Sequence, residues 1–225
     1  MKNRVLVVVA HPDDEALGCA GTIAKHIEAT DQVYVIFMSN GVSSRAGANL
    51  KSATKVRVDS ANKSCKVLKT EEPIFLDFPD NKMDSIPLLD VVQKIEKVVV
   101  ELKPDIIYTH HIGDLNIDHK ITHEAVMVAC RPQKNISVKE IYAFEVLSSS
   151  EWMTPKINTF SPNYFNNISN YIEIKRSALS CYDNEMRESP NSRSIENIIR
   201  LNALRGNAVA IDYAESFEIL RFLNK

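Results

Sequence analysis

The sequence predicts an α/β chain, a mostly parallel sheet with helices on both faces. Two observations carry that reading. Short apolar runs alternate with segments of helical period from residue 5 to residue 129, and such alternation calls for crossover connections between parallel strands. The first run, residues 5–10, is continuously apolar and mostly β-branched, which suits a strand covered on both faces. In order, residues 5–10 read as a strand, 15–29 as a helix, 32–38 as a strand, 53–68 as a helix, 73–77 as a strand, 86–102 as a helix, 105–110 as a strand and 121–129 as a helix. Beyond residue 138 the order loosens. Residues 140–147 read as a strand, 158–170 as an Asn/Ser/Pro-rich stretch, 171–182 and 192–206 as helices, and 215–222 as a closing strand. The Gly/Ser/Asn-rich segment 41–52 reads as a mobile loop near the functional edge.

A chain of 225 residues buries a sizeable core as one domain, residues 1–225. With 27 Lys+Arg against 29 Asp+Glu, the net charge of -2 offers no broad attraction to nucleic acid or an anionic membrane. Cys19, Cys65, Cys130 and Cys181 are scattered without a CxxC pair, so reduced thiols and a reducing compartment are expected. Few apolar residues separate the charged start from His11, too few for a signal peptide or a spanning helix. The expectation is a soluble, cytoplasmic protein with no integral membrane segment.

Two polar clusters follow apolar strands. The first is His11-Pro12-Asp13-Asp14-Glu15. One reading is that Asp13 or Asp14 caps the following helix, since a carboxylate there accepts orphan amide protons at the positive end of the dipole. The other is that His11 and Asp14, three apart across a tight turn, converge on one cation while Asp13 is left to handle a proton. The second cluster runs from Thr109 to His119 and carries His110, His111, Asp114, Asn116 and Asp118 as well. Ligands of open parallel sheets sit outside the carboxyl ends of strands, so both clusters should meet on one edge. Two imidazoles and a carboxylate, with water in the fourth position, form a recurrent catalytic zinc set, and the thiols of this chain offer no comparable one.

HPDDE after the first strand, the later Asp118-His119 pair and the intervening FLDFPDNKMD resemble the LmbE-like or PIG-L family of zinc-dependent de-N-acetylases, over residues 5–129. FEVLSSSEW and SRSIENIIRLNALRG are similar to the tail of bacterial members associated with sugar and polysaccharide modification. The resemblance implies a Rossmann-like fold, with a core over residues 4–130 and a substrate-facing elaboration over 131–225. It implies that His11, Asp14 and His119 bind one Zn2+, or another divalent metal, and that Asp13 is the general base. Zinc lowers the pKa of bound water to about 7 and polarises an amide carbonyl. Asp13 would take the proton of that water and pass it to the departing amine. Asp118 could hydrogen-bond a neighbouring polar group beside the ligand.

One departure stands out. Many members have a histidine, thought to steady the oxyanion, where this chain has Asn116. An asparagine donates a hydrogen bond but brings no charge, so Asn116, His110 or His111 is left to fill the role, with His111 slightly favoured. Arg57 resembles a family arginine that faces the pocket, and Asp80 is placed to accept sugar hydroxyls; a solvated helix arginine and a turn aspartate are the plain alternatives. Arg193, Arg200 and Arg205 read as surface residues, or as a phosphate patch if the substrate carries one, and Trp152 as ordinary packing, with stacking on a sugar ring the alternative. The function expected is removal of an acetyl group from an N-acetylated amino sugar or its conjugate, a nucleotide sugar or a glycoside included, with homo-oligomerisation left open. The competing readings are a catalytically silent sugar- or nucleotide-binding protein and a metal-dependent phosphoesterase.

Overall fold

The computed structural model describes residues 2–42, 50–154 and 158–224, the last pair of segments lying either side of residues 155–157, and leaves the side chain of Leu50 undescribed. The segment expected to be a mobile loop falls largely at 43–49, outside the described residues. Four strand–helix pairs come first: β1 (Arg4–Val9) and α1 (Asp14–Glu28), β2 (Gln32–Ser39) and α2 (Leu50–Leu68), β3 (Ile74–Phe78) and α3 (Leu88–Leu102), β4 (Ile106–His110) and α4 (Ile117–Ala129). Then follow β5 (Glu140–Phe144), β6 (Tyr164–Asn167), α5 (Ile172–Leu179), α6 (Ile195–Asn207) and β7 (Ala214–Phe222).

The strands form a seven-stranded sheet in the order β3-β2-β1-β4-β5-β7-β6. β1 to β5 pair in parallel, and β7 and β6 add antiparallel pairings at one side. The expected alternation and mostly parallel sheet are therefore present. From β1 the chain steps outward to β2 and β3, then returns to β4 on the opposite side of β1, which makes the β1–β4 junction the point where ligand crevices open. The register Val5↔Ile106 and Val7↔Tyr108 brings the turns after both strands side by side, and the Ala10 amide donates to His110 Nε2 at 2.9 Å.

The side-chain alternation of β1 divides the interior in two. Val5, Val7 and Val9 pack with residues of α1, α2 and α5, whereas Leu6 and Val8 pack with residues of α3 and α4. Full burial of such side chains contributes about 1.5–3 kcal/mol each. Helix α3 shows how: Val91, Val92, Ile95 and Val99 make one apolar stripe, and all four are buried.

Two elements differ from the sequence reading. Within the Asn/Ser/Pro-rich stretch, β6 forms over four residues by pairing with β7; so short a segment carries no readable period and depends on the edge it joins. Helix α1 is not regular throughout, because Cys19 adopts φ -147°, ψ 21°. In an unbroken helix the Leu17 carbonyl would bond the Gly21 amide. Here buried Lys175 donates to the Leu17 carbonyl at 2.9 Å, and buried Glu215 accepts from the Gly21 and Thr22 amides at 2.9 and 2.7 Å. Lys175 and Glu215 pair at 2.7 Å. All four cysteines are free. Among the described residues, no helix is long and apolar enough to cross a membrane.

Candidate metal centre and active site

The turn after β1 is closed by its own residues. The His11 amide donates to Asp14 Oδ2 at 2.8 Å and the Asp14 amide to the His11 carbonyl at 3.3 Å. Asp13 stands at the N-cap of α1 with φ 116°, a left-handed conformation that costs a non-glycine residue of order 1–3 kcal/mol, and its side chain makes no capping bond. The capping reading therefore fails for Asp13. The carboxylate is buried and neither oxygen has a hydrogen-bond partner in the described contacts; its neighbours are two guanidinium groups, Arg57 Nη2 at 3.1 Å and Arg193 Nη1 at 3.5 Å from Oδ2.

The donor atoms of His11, Asp14 and His119 lie within 4.8 Å of one another. Asp14 Oδ2 is 3.4 Å from both His11 Nδ1 and His119 Nε2, while Asp14 Oδ1 is buried and has no hydrogen-bond partner. Two imidazoles, a carboxylate and an orphaned carboxylate oxygen fit a divalent cation, so these residues suit the zinc set expected of them. The far ring nitrogens face further carboxylates: His11 Nε2 shares a hydrogen bond of 3.1 Å with Asp118 Oδ2, and His119 Nδ1 lies 3.2 Å from Asp114 Oδ2 in an ion-pair contact. Such outer carboxylates fix the tautomer and aim of a ligating ring. A second grouping, His11, Asp80 and Asp118, shares the same imidazole. Asp118 is already occupied, accepting the Asn81 and Met83 amides at 2.6 and 3.0 Å, which makes it an anchor for His11.

The electrostatics favour positive charge at this point. Burial alone would lower the His11 pKa, but hydrogen bonds to Asp118 and Asp14 hold it up at about 9. His119 is likewise held at about 10 by Asp14 and Asp114 against the pull of burial. Burial opposes ionisation of Asp14, yet the surrounding histidines keep its carboxyl well below the usual range. His110 behaves differently: burial and then His119 push it well below the ordinary value. It accepts from the Ala10 amide and stacks on His119, ring centroids 3.9 Å apart at 18°, which is scaffolding at the strand end.

These groups open on a cavity of about 150 Å³, bordered by His11, Asp13, Arg57, Asp80, Asn116, His119 and Arg193 among others. Arg57 is buried, its Nη1 2.6 Å from Glu185 Oε1, so it is not a solvated helix arginine. Asp80 is buried with Oδ1 3.3 Å from His11 Nε2. Asn116 caps α4, accepting the Asp118 amide at 2.8 Å, and donates to Asn81 Oδ1 at 3.0 Å. His111 does not border the cavity. Its Nδ1 lies 2.6 Å from Glu218 Oε2 and its Nε2 2.6 Å from the Asn158 carbonyl, two acceptors that together require both ring nitrogens to be protonated.

Of the C-terminal arginines, only Arg193 reaches this cavity. Arg205 forks onto Glu145 with two contacts of 2.7 Å, and exposed Arg200 bonds Asn197. Trp152 is exposed, not packed. Sequence reasoning placed Asp114 and Glu15 in the two clusters but gave neither a role. Asp114 also accepts from the Ser149 and Ser150 hydroxyls and the Asn116 amide, tying the 148–150 turn to His119. Glu15 accepts from Tyr182, Ser64 and the Asp13 amide at 2.6, 2.7 and 3.1 Å, and burial pushes its carboxyl up to about 7. A second acidic residue beside each ligand motif was the available signal.

Residues 6–130 match the family described as PIG-L, GlcNAc-PI de-N-acetylase. An uncharacterized deacetylase of Escherichia coli (strain K12) is 27% identical over 181 residues, covering 78% of this chain and 88% of the relative. A probable N-acetyl-alpha-D-glucosaminyl L-malate deacetylase 2 of Bacillus cereus is 26% identical, covering 81% and 83%. Among solved structures, N,N'-diacetylchitobiose deacetylase from Pyrococcus horikoshii superposes with a TM-score of 0.80 at 18% identity, over 97% of this chain and 84% of that one. The 4-carboxy-2-hydroxymuconate hydratase from Pseudomonas putida superposes at 0.78 and 18% identity, over 100% and 98%, so the fold by itself does not settle the reaction. The match over more than half of its length, on the segment that carries both histidine clusters, establishes that this chain belongs to the PIG-L family of de-N-acetylases.

Proposed function

We propose that this chain hydrolyses the acetamide of an N-acetylated amino sugar or its conjugate, releasing acetate and a free amine, with one divalent ion, zinc in the first instance, held by His11, Asp14 and His119. The observation that carries the reading is the pairing of this donor set with Asp13, a buried carboxylate in a costly backbone conformation that caps nothing. A bound divalent ion would supply Lewis acidity, polarising the carbonyl and making water acidic enough to ionise near neutrality. Asp13 borders the same cavity and serves as base, taking the proton of the attacking water and later delivering it to the amine nitrogen. Asp118 and Asp114 hold the His11 and His119 rings.

The cavity wall suits a polyhydroxylated ring, since Asp80 and Arg57 border it beside the donor set and offer an acceptor and a donor. Substrate contacts beyond the core come from the 131–225 elaboration, which brings Ser148, Ser149, Glu185 and Arg193 to the rim. His111 takes a structural part in this reading, and the neutral Asn116 amide is left to assist the oxyanion. The names of the family and of the Bacillus cereus relative support an N-acetylglucosamine-type substrate. Four free cysteines suit a reducing cytoplasm.

The test is amine release from a panel of N-acetylglucosamine glycosides, nucleotide sugars and free N-acetylated sugars. Turnover that a chelator abolishes and zinc restores supports the hydrolase. Binding without turnover across the panel would favour the silent binding protein, and two ions per chain with phosphate-ester cleavage would favour the phosphoesterase.

A further inference from the structure

We propose that Arg193 is a catalytic residue, one that follows the negative charge from Asp13 to the amide oxygen as that oxygen becomes anionic. The proposal rests on the amide-hydrolase reading above and adds a residue to it.

Two guanidinium groups, Arg57 and Arg193, border the cavity beside the neutral amide and hydroxyl donors of Asn81, Asn116, Ser148 and Ser149. Asn116 is neutral; its Oδ1 takes the Asp118 amide and its Nδ2 donates to Asn81. Arg57 is a cation, but its side chain is only 6% exposed and it is fixed between two carboxylates, 2.6 Å from Glu185 and 3.1 Å from Asp13. Arg193 arrives from the segment before α6 and, among the described residues, pairs only with Asp13, at the longer distance of 3.5 Å, with a quarter of its side chain exposed. Its Nε, like that of Arg57, is buried without a hydrogen-bond partner, so what sets Arg193 apart is its partial exposure and its single, longer ion-pair contact. A partly exposed guanidinium held by one long contact, bordering a cavity of about 150 Å³, is free to turn toward an amide that enters.

Charge bookkeeping explains why a loosely held cation is useful. In the addition step a water O–H bond breaks and its proton goes to Asp13. A C–O bond forms at the acyl carbon, and the carbonyl π pair moves onto its oxygen. The net result is one negative charge transferred from Asp13 to the substrate. In the collapse step that pair returns, the C–N bond breaks, and Asp13 hands its proton to nitrogen, leaving amine and acetic acid, which then share a proton as ammonium and acetate. A cation bound tightly to a third group cannot track this transfer. Arg193 loses its partner when Asp13 is protonated, in the step that creates the oxyanion, so its attraction is stronger in the transition state than in the ground state.

The experiment compares zinc-loaded wild type, Arg193→Gln and Arg193→Lys on an N-acetylglucosamine glycoside, with calorimetric binding of a glucosamine methylphosphonamidate, a tetrahedral anion, and of glucosamine itself. Arg193→Gln should lose about 10²-fold in kcat, as loss of one oxyanion donor does, with KM changed by less than about threefold. Phosphonamidate binding should weaken by a similar factor while glucosamine binding holds. Arg193→Lys, which keeps the charge, should recover part of both, and unchanged thermal melts show that the loop is intact. A rise in KM with kcat preserved, or equal weakening of both ligands, would overturn the proposal in favour of ground-state anchoring. Full kcat in Arg193→Gln would remove Arg193 alone, whereas a wild type that releases no amine from any N-acetylated sugar would remove the hydrolase reading and this inference with it.

Discussion

Asp13 and Arg57 face each other at 3.1 Å, both buried, across the gap between the first turn of α1 and the middle of α2. The pair orients a carboxylate that makes no capping bond to α1. Asp13→Asn keeps the shape and removes the basic oxygen. Turnover should fall by about 10²–10⁴-fold, the usual worth of a positioned acid–base group, while zinc content measured on the purified variant stays at the wild-type level. Loss of the metal along with activity would show that Asp13 is a ligand.

His119→Ala should lose both metal and activity if, as proposed, the ring supplies one of three donors. Asp114→Asn is the finer test. It retains all three donors and removes the carboxylate 3.2 Å behind His119 Nδ1, so zinc affinity, read by competition with a chelating dye, should weaken about 10–100-fold. An unchanged affinity would leave Asp114 as a tether for Ser149 and Ser150 only.

The buried Lys175–Glu215 pair should matter to stability at a distance from the site. Lys175→Met leaves the Glu215 carboxylate uncompensated in the interior and should cost about 3–5 kcal/mol in denaturant unfolding. Adding Glu215→Gln should cost clearly less than the sum of the two single changes, since the two groups serve one break in α1. Additive losses would mean that each side chain acts alone.

The His111–Glu218 contact predicts a pH dependence. Burial would lower the His111 pKa, but the Glu218 hydrogen bond and the Asn158 carbonyl raise it; burial would raise Glu218, but His111 and the Ser161 amide lower it. The histidine contribution is complete below its unfolded value near 6.5 and fades as pH climbs through the raised folded value; the glutamate contribution is complete above about 4.5 and fades as pH drops through the lowered one. Replacing Glu218 by Gln should therefore cost most, about 2 kcal/mol, between about pH 4.5 and 6.5, and progressively less at alkaline pH. A cost that grows with rising pH would contradict the assignment of charge to His111.

Much of this protein could be read along the chain, because the relevant physics is local. The unbroken apolar run of β1, the helical stripe of α3 and the alternation of such units are set by side-chain period, and they predicted the parallel sheet and the edge on which HPDDE and Asp118-His119 meet. Where a feature depends on residues far apart in sequence, no local pattern announces it. The break at Cys19 is served by Lys175 and Glu215, more than 150 residues away. β6 exists because β7 offers it an edge. Arg193 and Arg205 sit twelve residues apart in similar surroundings along the chain, yet one reaches Asp13 and the other Glu145. His110 and His111 are neighbours in sequence, and the strand's alternation sends one ring onto His119 and the other onto Glu218. The chain thus specified which residues have the chemistry; which of them share a cavity was decided by packing, since burial and charge pairing are properties of neighbours in space.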